Sequence, residues 1–184
     1  MKNVLRIFLF FFLCFNISCS FTWANQNTLG APAIAFEPPT GWRCADPDQL
    51  PRSVQVMVVG KGASDYPPSI NLGMEPFSGS LEDYLKIVKA INDSQNAEWK
   101  SLGTIHTKAG PGNLSQVDMN SSWGSVRLMH VILVKDGQAY ILTSAAKRDE
   151  FPRFYRQFFK SMRSLHFRKV TEADQPLVAP QRNT

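Results

Sequence analysis

The chain has 184 residues, 43% of them hydrophobic and 19% charged, with a formal net charge of +5. That length holds one domain with a real core and not two. The mild basicity falls far short of the charge density of a nucleic-acid binder, so nucleic acid is excluded as a partner.

Residues 1–24 read as a bacterial signal peptide. Lys2 and Arg6 flank the start of an apolar run over 7–15, and the small residues Thr22 and Ala24 stand two positions apart. The run is too short to cross a bilayer, which needs about 20 residues. The next candidate, 126–134, is interrupted by Arg127 and His130, so the mature chain is expected to have no transmembrane segment. Cleavage after Ala24 would leave 160 residues (184 − 24) with eighteen basic and fifteen acidic side chains, a net charge of +3. Asn16-Ile17-Ser18-Cys19 resembles a lipobox, with Asn16 where leucine is usual, and cleavage before Cys19 would leave a lipid-anchored protein. Both endings stay open. Either way the protein is expected in the periplasm or cell envelope. Of Cys14, Cys19 and Cys44, only Cys44 survives both endings. With no base nearby to activate it, Cys44 reads as a half-buried structural thiol.

Residues 25–32 read as a linker. Structure starts at 33–36, turns through Glu37-Pro38-Pro39-Thr40-Gly41, and returns to the core at Trp42. The β-branched run 54–59 is a strand, 60–68 a loop, and 70–74 a second strand. Ser80 with Asp83 three residues on is a capping-box pattern. After it Leu81, Tyr84, Leu85, Val88 and Ile91 recur at helical spacing, with Glu82, Lys86 and Lys89 toward solvent. Residues 92–96 end this helix.

Four strands follow at 99–107, 113–122, 125–134 and 139–146, with turns at 109–112, 121–124 and 135–138. The last turn carries the Asp136-Gly137 pair of a tight hairpin. On the third strand Val126, Leu128, His130, Ile132 and Val134 share one face. Short turns between consecutive strands make an antiparallel meander, because parallel neighbours need long crossovers. A second helix over 149–164 starts with Asp149 as cap and Pro152 in the first turn. Its stripe of Phe151, Phe154, Tyr155, Phe158, Phe159 and Met162 is expected to dock onto the sheet. A short strand at 165–167 closes the domain, and 170–184 is expected to be a disordered tail. The fold class is α+β, a mostly antiparallel sheet flanked by helices. Ser115, Asp118, Ser121, Ser125 and Arg127 on the strands leave open whether every face is covered.

The order of these elements resembles the PsbP-like and DcrB-like proteins. The resemblance rests on Phe36-Glu37-Pro38-Pro39-Thr40-Gly41-Trp42, the helix opening Ser80-Leu81-Glu82-Asp83-Tyr84-Leu85, the Lys135-Asp136-Gly137-Gln138 hairpin, and the closing Phe158-Phe159-Lys160-Ser161-Met162-Arg163-Ser164-Leu165. It runs over about 33–168, and the domain is drawn at 33–169. The resemblance implies an α/β/α sandwich around a central antiparallel sheet. Its members include exported lipoproteins and extrinsic photosystem proteins, and it implies no single activity. No photosystem motif is recognisable here.

The chemistry-bearing residues are sparse. His106, His130 and His166 lie on separate strands without metal-ligand spacing. There is no G-x-S-x-G elbow. Gly110-Pro111-Gly112-Asn113 lacks the lysine and helix of a phosphate loop. Asp46, Asp48 and Asp65 lack the calcium-loop spacing. No catalytic, cofactor or metal residue is therefore nominated, and no enzyme is expected. The last helix is more suggestive: Arg156, Lys160 and Arg163 recur at i, i+4 and i+7, with Arg148, Arg153, Arg168 and Lys169 nearby. They read either as a solvated helix face or as a patch for an anionic membrane surface or an acidic partner. The expectation is a non-enzymatic envelope protein that binds another protein or the membrane surface. The alternative is a small-molecule or lipid carrier with a pocket between sheet and helices.

Overall fold

A computed structural model describes residues 32–169. The leader with Cys19, the linker up to residue 31 and the tail 170–184 lie outside the described residues. The elements are β1 (Pro32–Ala35), β2 (Arg43–Cys44), β3 (Val54–Val59), β4 (Ser69–Pro76), α1 (Leu81–Ser94), β5 (Glu98–Thr107), β6 (Gly110–Ser121), β7 (Gly124–Lys135), β8 (Gln138–Lys147), α2 (Phe151–Arg163) and β9 (His166–Lys169).

Seven strands form one antiparallel sheet in the order β2-β3-β4-β8-β7-β6-β5, and β1 pairs with β9 in a separate two-stranded ladder. The meander β5 to β8 forms because its turns are short. Between β7 and β8, Asp136 and Gly137 both take positive φ, 50° and 74°, the backbone of a type I′ hairpin. The β3–β4 hairpin joins the meander through β4–β8 pairing, from Ser69 opposite Ala145 to Pro76 opposite Gln138. That pairing places β8 and β7 in the middle of the sheet.

The alternation along β7 sorts the core. Met129, Val131 and Leu133 pack in a cluster with Phe151, Phe154, Phe158 and Met162 of α2. Ile132 and Val134 pack with Leu81, Tyr84, Leu85 and Val88 of α1. Successive strand residues point to opposite faces, so β7 is buried on both. The face expected from Val126 to Val134 is present, and its reverse is buried as well. Under α2, Leu72, Leu142, Val131 and Leu114 stand opposite one another across four strands, all buried.

α1 starts as its capping box dictates: Asp83 N–H donates to Ser80 Oγ (3.1 Å), and the Asp83 carboxylate accepts from Ser80 N–H. α2 starts differently. Asp149 does not cap it; Glu150 holds the N-cap position without a side-chain cap bond. The Glu150 carboxylate instead accepts from Ala63 N–H (3.1 Å), tying down the loop before β4. The turn expected at 109–112 lies one step earlier, at Lys108–Ala109, and Gly110 already begins β6. Gly112 is a strand residue there because a Cβ would lie 2.9 Å from the Ile132 carbonyl oxygen. Backbone proximity, not a turn, explains this glycine. Cys44 is disulfide-bonded, not a structural thiol.

The stripe on α2 is narrower than expected. Phe151, Phe154, Phe158 and Met162 are buried, and Trp42 packs edge-on to Phe154 and Phe158 with centroids 6.2 and 5.9 Å away. Tyr155, however, is 47% exposed, and Phe159 is only partly buried. One turn of helix presents about 100° of it to a flat sheet, and these two rings stand at the edge of that arc. Phe158→Ala should therefore cost about 3–5 kcal/mol in urea unfolding, while Tyr155→Ala should stay within about 0.5 kcal/mol of the parent. Equal losses would return Tyr155 to the core.

Candidate functional site

Three chain segments meet at the C-terminal end of α2. Glu37 leaves β1 and is held by its backbone: its N–H donates to Ser164 Oγ (2.8 Å), and Ser161 Oγ donates to its carbonyl (2.7 Å). Ser164 Oγ also donates to the Ser161 carbonyl (2.6 Å). The β5–β6 turn arrives from the other side. Lys108 N–H donates to the Arg163 carbonyl (3.1 Å) and Ala109 N–H to the Leu165 carbonyl (2.6 Å). The Arg163 carbonyl, which the helix end leaves without an intrahelical donor, is thus satisfied by a distant turn. The Lys108 ammonium then pairs with the Glu37 carboxylate, whose pKa is lowered by that hydrogen bond and charge.

Above this junction lies an open groove of about 530 Å³ along the outer flank of α2. Tyr155 and Phe159, one helical turn apart, form its apolar wall, with ring centroids 4.4 Å apart and planes tilted by 35°. The Arg163 guanidinium lies 5.8 Å from the Phe159 ring centroid, a cation–π contact. Arg156 and Lys160 complete the wall, and Lys108, Glu37 and Ser164 form the end. The groove therefore carries four cations against the one carboxylate of Glu37.

All three nominated residues, Arg156, Lys160 and Arg163, line this groove. Two of the neighbouring cations have other contacts. Arg148 lies 3.8 Å from the Asp118 carboxylate, and Arg153 lies over Phe154 at 5.9 Å. Sequence reasoning missed Lys108, which arrives from a turn nearly fifty residues earlier, and Tyr155 and Phe159, which it assigned to the core. A helical-wheel angle at the edge of the buried arc was the available signal for the two rings.

The other polar groups are structural in their contacts. Asp118 and Arg127, opposite each other on β6 and β7, form a two-point ion pair with both distances 2.7 Å. The Arg127 hydrogen bond, with its charge, holds the Asp118 carboxyl low. Asp46 accepts from Asp48 N–H (3.0 Å) at the start of a short 3-10 helix, Pro47–Gln49. His106 is exposed, and His166 Nδ1 lies 2.8 Å from the Ser164 carbonyl. His130 is buried at mid-sheet with Nδ1 2.9 Å from Thr143 Oγ1. Burial pushes its imidazole down to about 4. Among the described residues no group of three or more His, Cys, Asp or Glu is placed to hold a metal ion. The space between α2 and the sheet is filled by Phe158, Met162 and Leu165, each fully buried.

No protein-family model matches the chain, and no curated protein matches it. Solved structures do. LpqN of Mycobacterium tuberculosis, involved in cell envelope biogenesis, aligns with a TM-score of 0.52 at 14% identity over 75% of this chain and 84% of its own. PA94 of Pseudomonas aeruginosa, a protein of unknown function, aligns at 0.51 and 14% identity over 80% and 88%. At such identities the likeness shows the fold alone. The cyanobacterial PsbP of Synechocystis sp. PCC 6803 aligns at 0.46 and 11% identity over 78% and 98%, a score too low to carry an argument.

The buried histidine makes stability depend on acid. Its folded pKa of about 4 lies below its ordinary 6.5, so between those values the unfolded chain binds the extra proton. Stability is full above about 6.5, falls as the pH drops, and levels off below about 4, with a total loss of up to about 3 kcal/mol. Asp118 acts lower: its lowered pKa adds stability above 3.8 that is lost as the pH falls through its folded value. Urea unfolding from pH 7 to 4.5 should show the histidine slope, and His130→Gln should flatten it. An unchanged slope in the variant would assign it to other groups.

Proposed function

We propose that this chain is an exported bacterial envelope protein whose PsbP/DcrB-like domain, an α/β/α sandwich, acts by docking and not by catalysis. Its target is another envelope protein or the anionic membrane surface. Packing of α1 and α2 against alternate residues of β7 supports the sandwich. The fold shared with LpqN, a protein of cell envelope biogenesis, is compatible with an envelope role, and the basic, apolar and small-residue order of 1–24 supports export.

The observation that carries the reading is the groove: four cations line it with exposed Tyr155 and partly buried Phe159, and its one carboxylate is already bound to Lys108. Such a surface attracts anions. A carrier would need room between sheet and α2, where the fully buried side chains of Phe158, Met162 and Leu165 stand. Among the described residues no helix is long and apolar enough to cross a membrane. Attachment would then come from surface contact or from an acylated Cys19.

Replacing Arg156, Lys160 and Arg163 together with glutamine should weaken sedimentation with anionic phospholipid vesicles at least tenfold in 0.1 M salt, at roughly 1 kcal/mol per cation. The thermal melt should barely move, since the three side chains are exposed. Unchanged sedimentation would remove the groove from the function. The intact mass of protein from its native envelope tests export. A chain starting at Asn25 or at an acylated Cys19 supports it, and an unprocessed Met1 chain overturns it.

A further inference from the structure

Among the surface features, the outer flank of α2 places aromatic rings beside uncompensated charge. Trp123 is exposed but packs against Tyr66 at 5.8 Å. Leu102 stands alone at the bulge of edge strand β5. Tyr155 differs: nearly half of it faces solvent, it stacks on Phe159, and Arg156, Lys160 and Arg163 line the same groove.

We propose that this flank seats in the headgroup layer of an anionic phospholipid membrane, with Tyr155 and Phe159 entering the interface and Arg156, Lys160 and Arg163 holding lipid phosphates. The inference deepens the docking reading above and rests on it. Charge alone would suit an acidic protein equally well. The aromatic pair favours the membrane. Tyrosine has an apolar ring and a polar tip, the combination that settles at the bilayer interface. Long basic side chains reach from that depth to the phosphates, their stems lying along apolar surface. The groove is open along its length, so headgroups enter from the side and no enclosed ligand need be extracted from the bilayer.

The geometry also limits the depth. The inner face of α2 is committed to the core through Phe151, Phe154, Phe158 and Met162, so the helix cannot turn that face to the lipid as a free amphipathic helix does. Only the two flanking rings enter. Glu37 is no obstacle, because Lys108 already compensates its charge.

Tyr155→Ser in the mature protein tests the seat, measured against vesicles of phosphatidylglycerol and against soluble poly-glutamate as an acidic polypeptide. Losing one half-buried ring should weaken vesicle binding about fivefold and leave the salt dependence unchanged, because no charge is removed. Poly-glutamate binding should stay within twofold. Phe159→Ser should act in the same direction, with its thermal melt recorded because that ring also touches the core. If the triple glutamine variant loses vesicle binding while Tyr155→Ser does not, the docking reading stands and the headgroup seat is overturned. If Tyr155→Ser weakens poly-glutamate as much as vesicles, the partner is an acidic protein and the seat is likewise overturned. If the triple variant has no effect, both fall.

Discussion

Everything on the outer side of this domain depends on how α2 is seated. Phe158 sits at zero exposure between Trp42, Phe151 and Phe154, above the row of Leu72, Leu142, Val131 and Leu114. Burying such a ring contributes about 1.5–3 kcal/mol, more than an exposed ion pair would. The apolar ridge therefore sets the rotation of α2 about its axis. Once that rotation is set, the positions of Tyr155, Arg156, Phe159, Lys160 and Arg163 follow from helical geometry.

The groove needs a second constraint, at the helix end. A helix C-terminus leaves carbonyls seeking donors, and here the β5–β6 turn supplies one to Arg163 through Lys108, while Ala109 donates to Leu165 just beyond the helix. The same turn carries the Lys108 side chain to Glu37, which Ser161 and Ser164 hold by its backbone. Hydrogen bonds that satisfy the helix end thus also build the end wall of the groove. A structural necessity and the proposed binding surface share the same atoms, and the groove has a defined shape although most of its side chains are exposed.

Much of the fold was legible. The capping box at Ser80, the Asp136-Gly137 hairpin and the alternation along 126–134 are local signals whose physics is complete within a few residues. The readings that failed depended on distant atoms. Asp149 has the chemistry of a cap, yet Glu150 takes the position while its carboxylate serves Ala63. Gly112 has the composition of a turn, yet it is a strand residue crowded by the Ile132 carbonyl. Tyr155 and Phe159 match the apolar period, yet they lie at the edge of the arc that a sheet can cover. The pairing of β1 with β9 joins the two ends of the domain, and no local pattern announces it.

The sequence by itself determined most of the elements, the antiparallel meander and the cationic row on the last helix, because helix periodicity, strand alternation and turn chemistry act over short stretches of chain. Only the tertiary structure decided which aromatic rings leave the core, that Lys108 and Glu37 join the cations, and that the buried imidazole of His130 sits beside Thr143. Those outcomes depend on through-space packing between segments as much as about 130 residues apart, where one fully buried ridge on α2 outweighs the preference of any single neighbour.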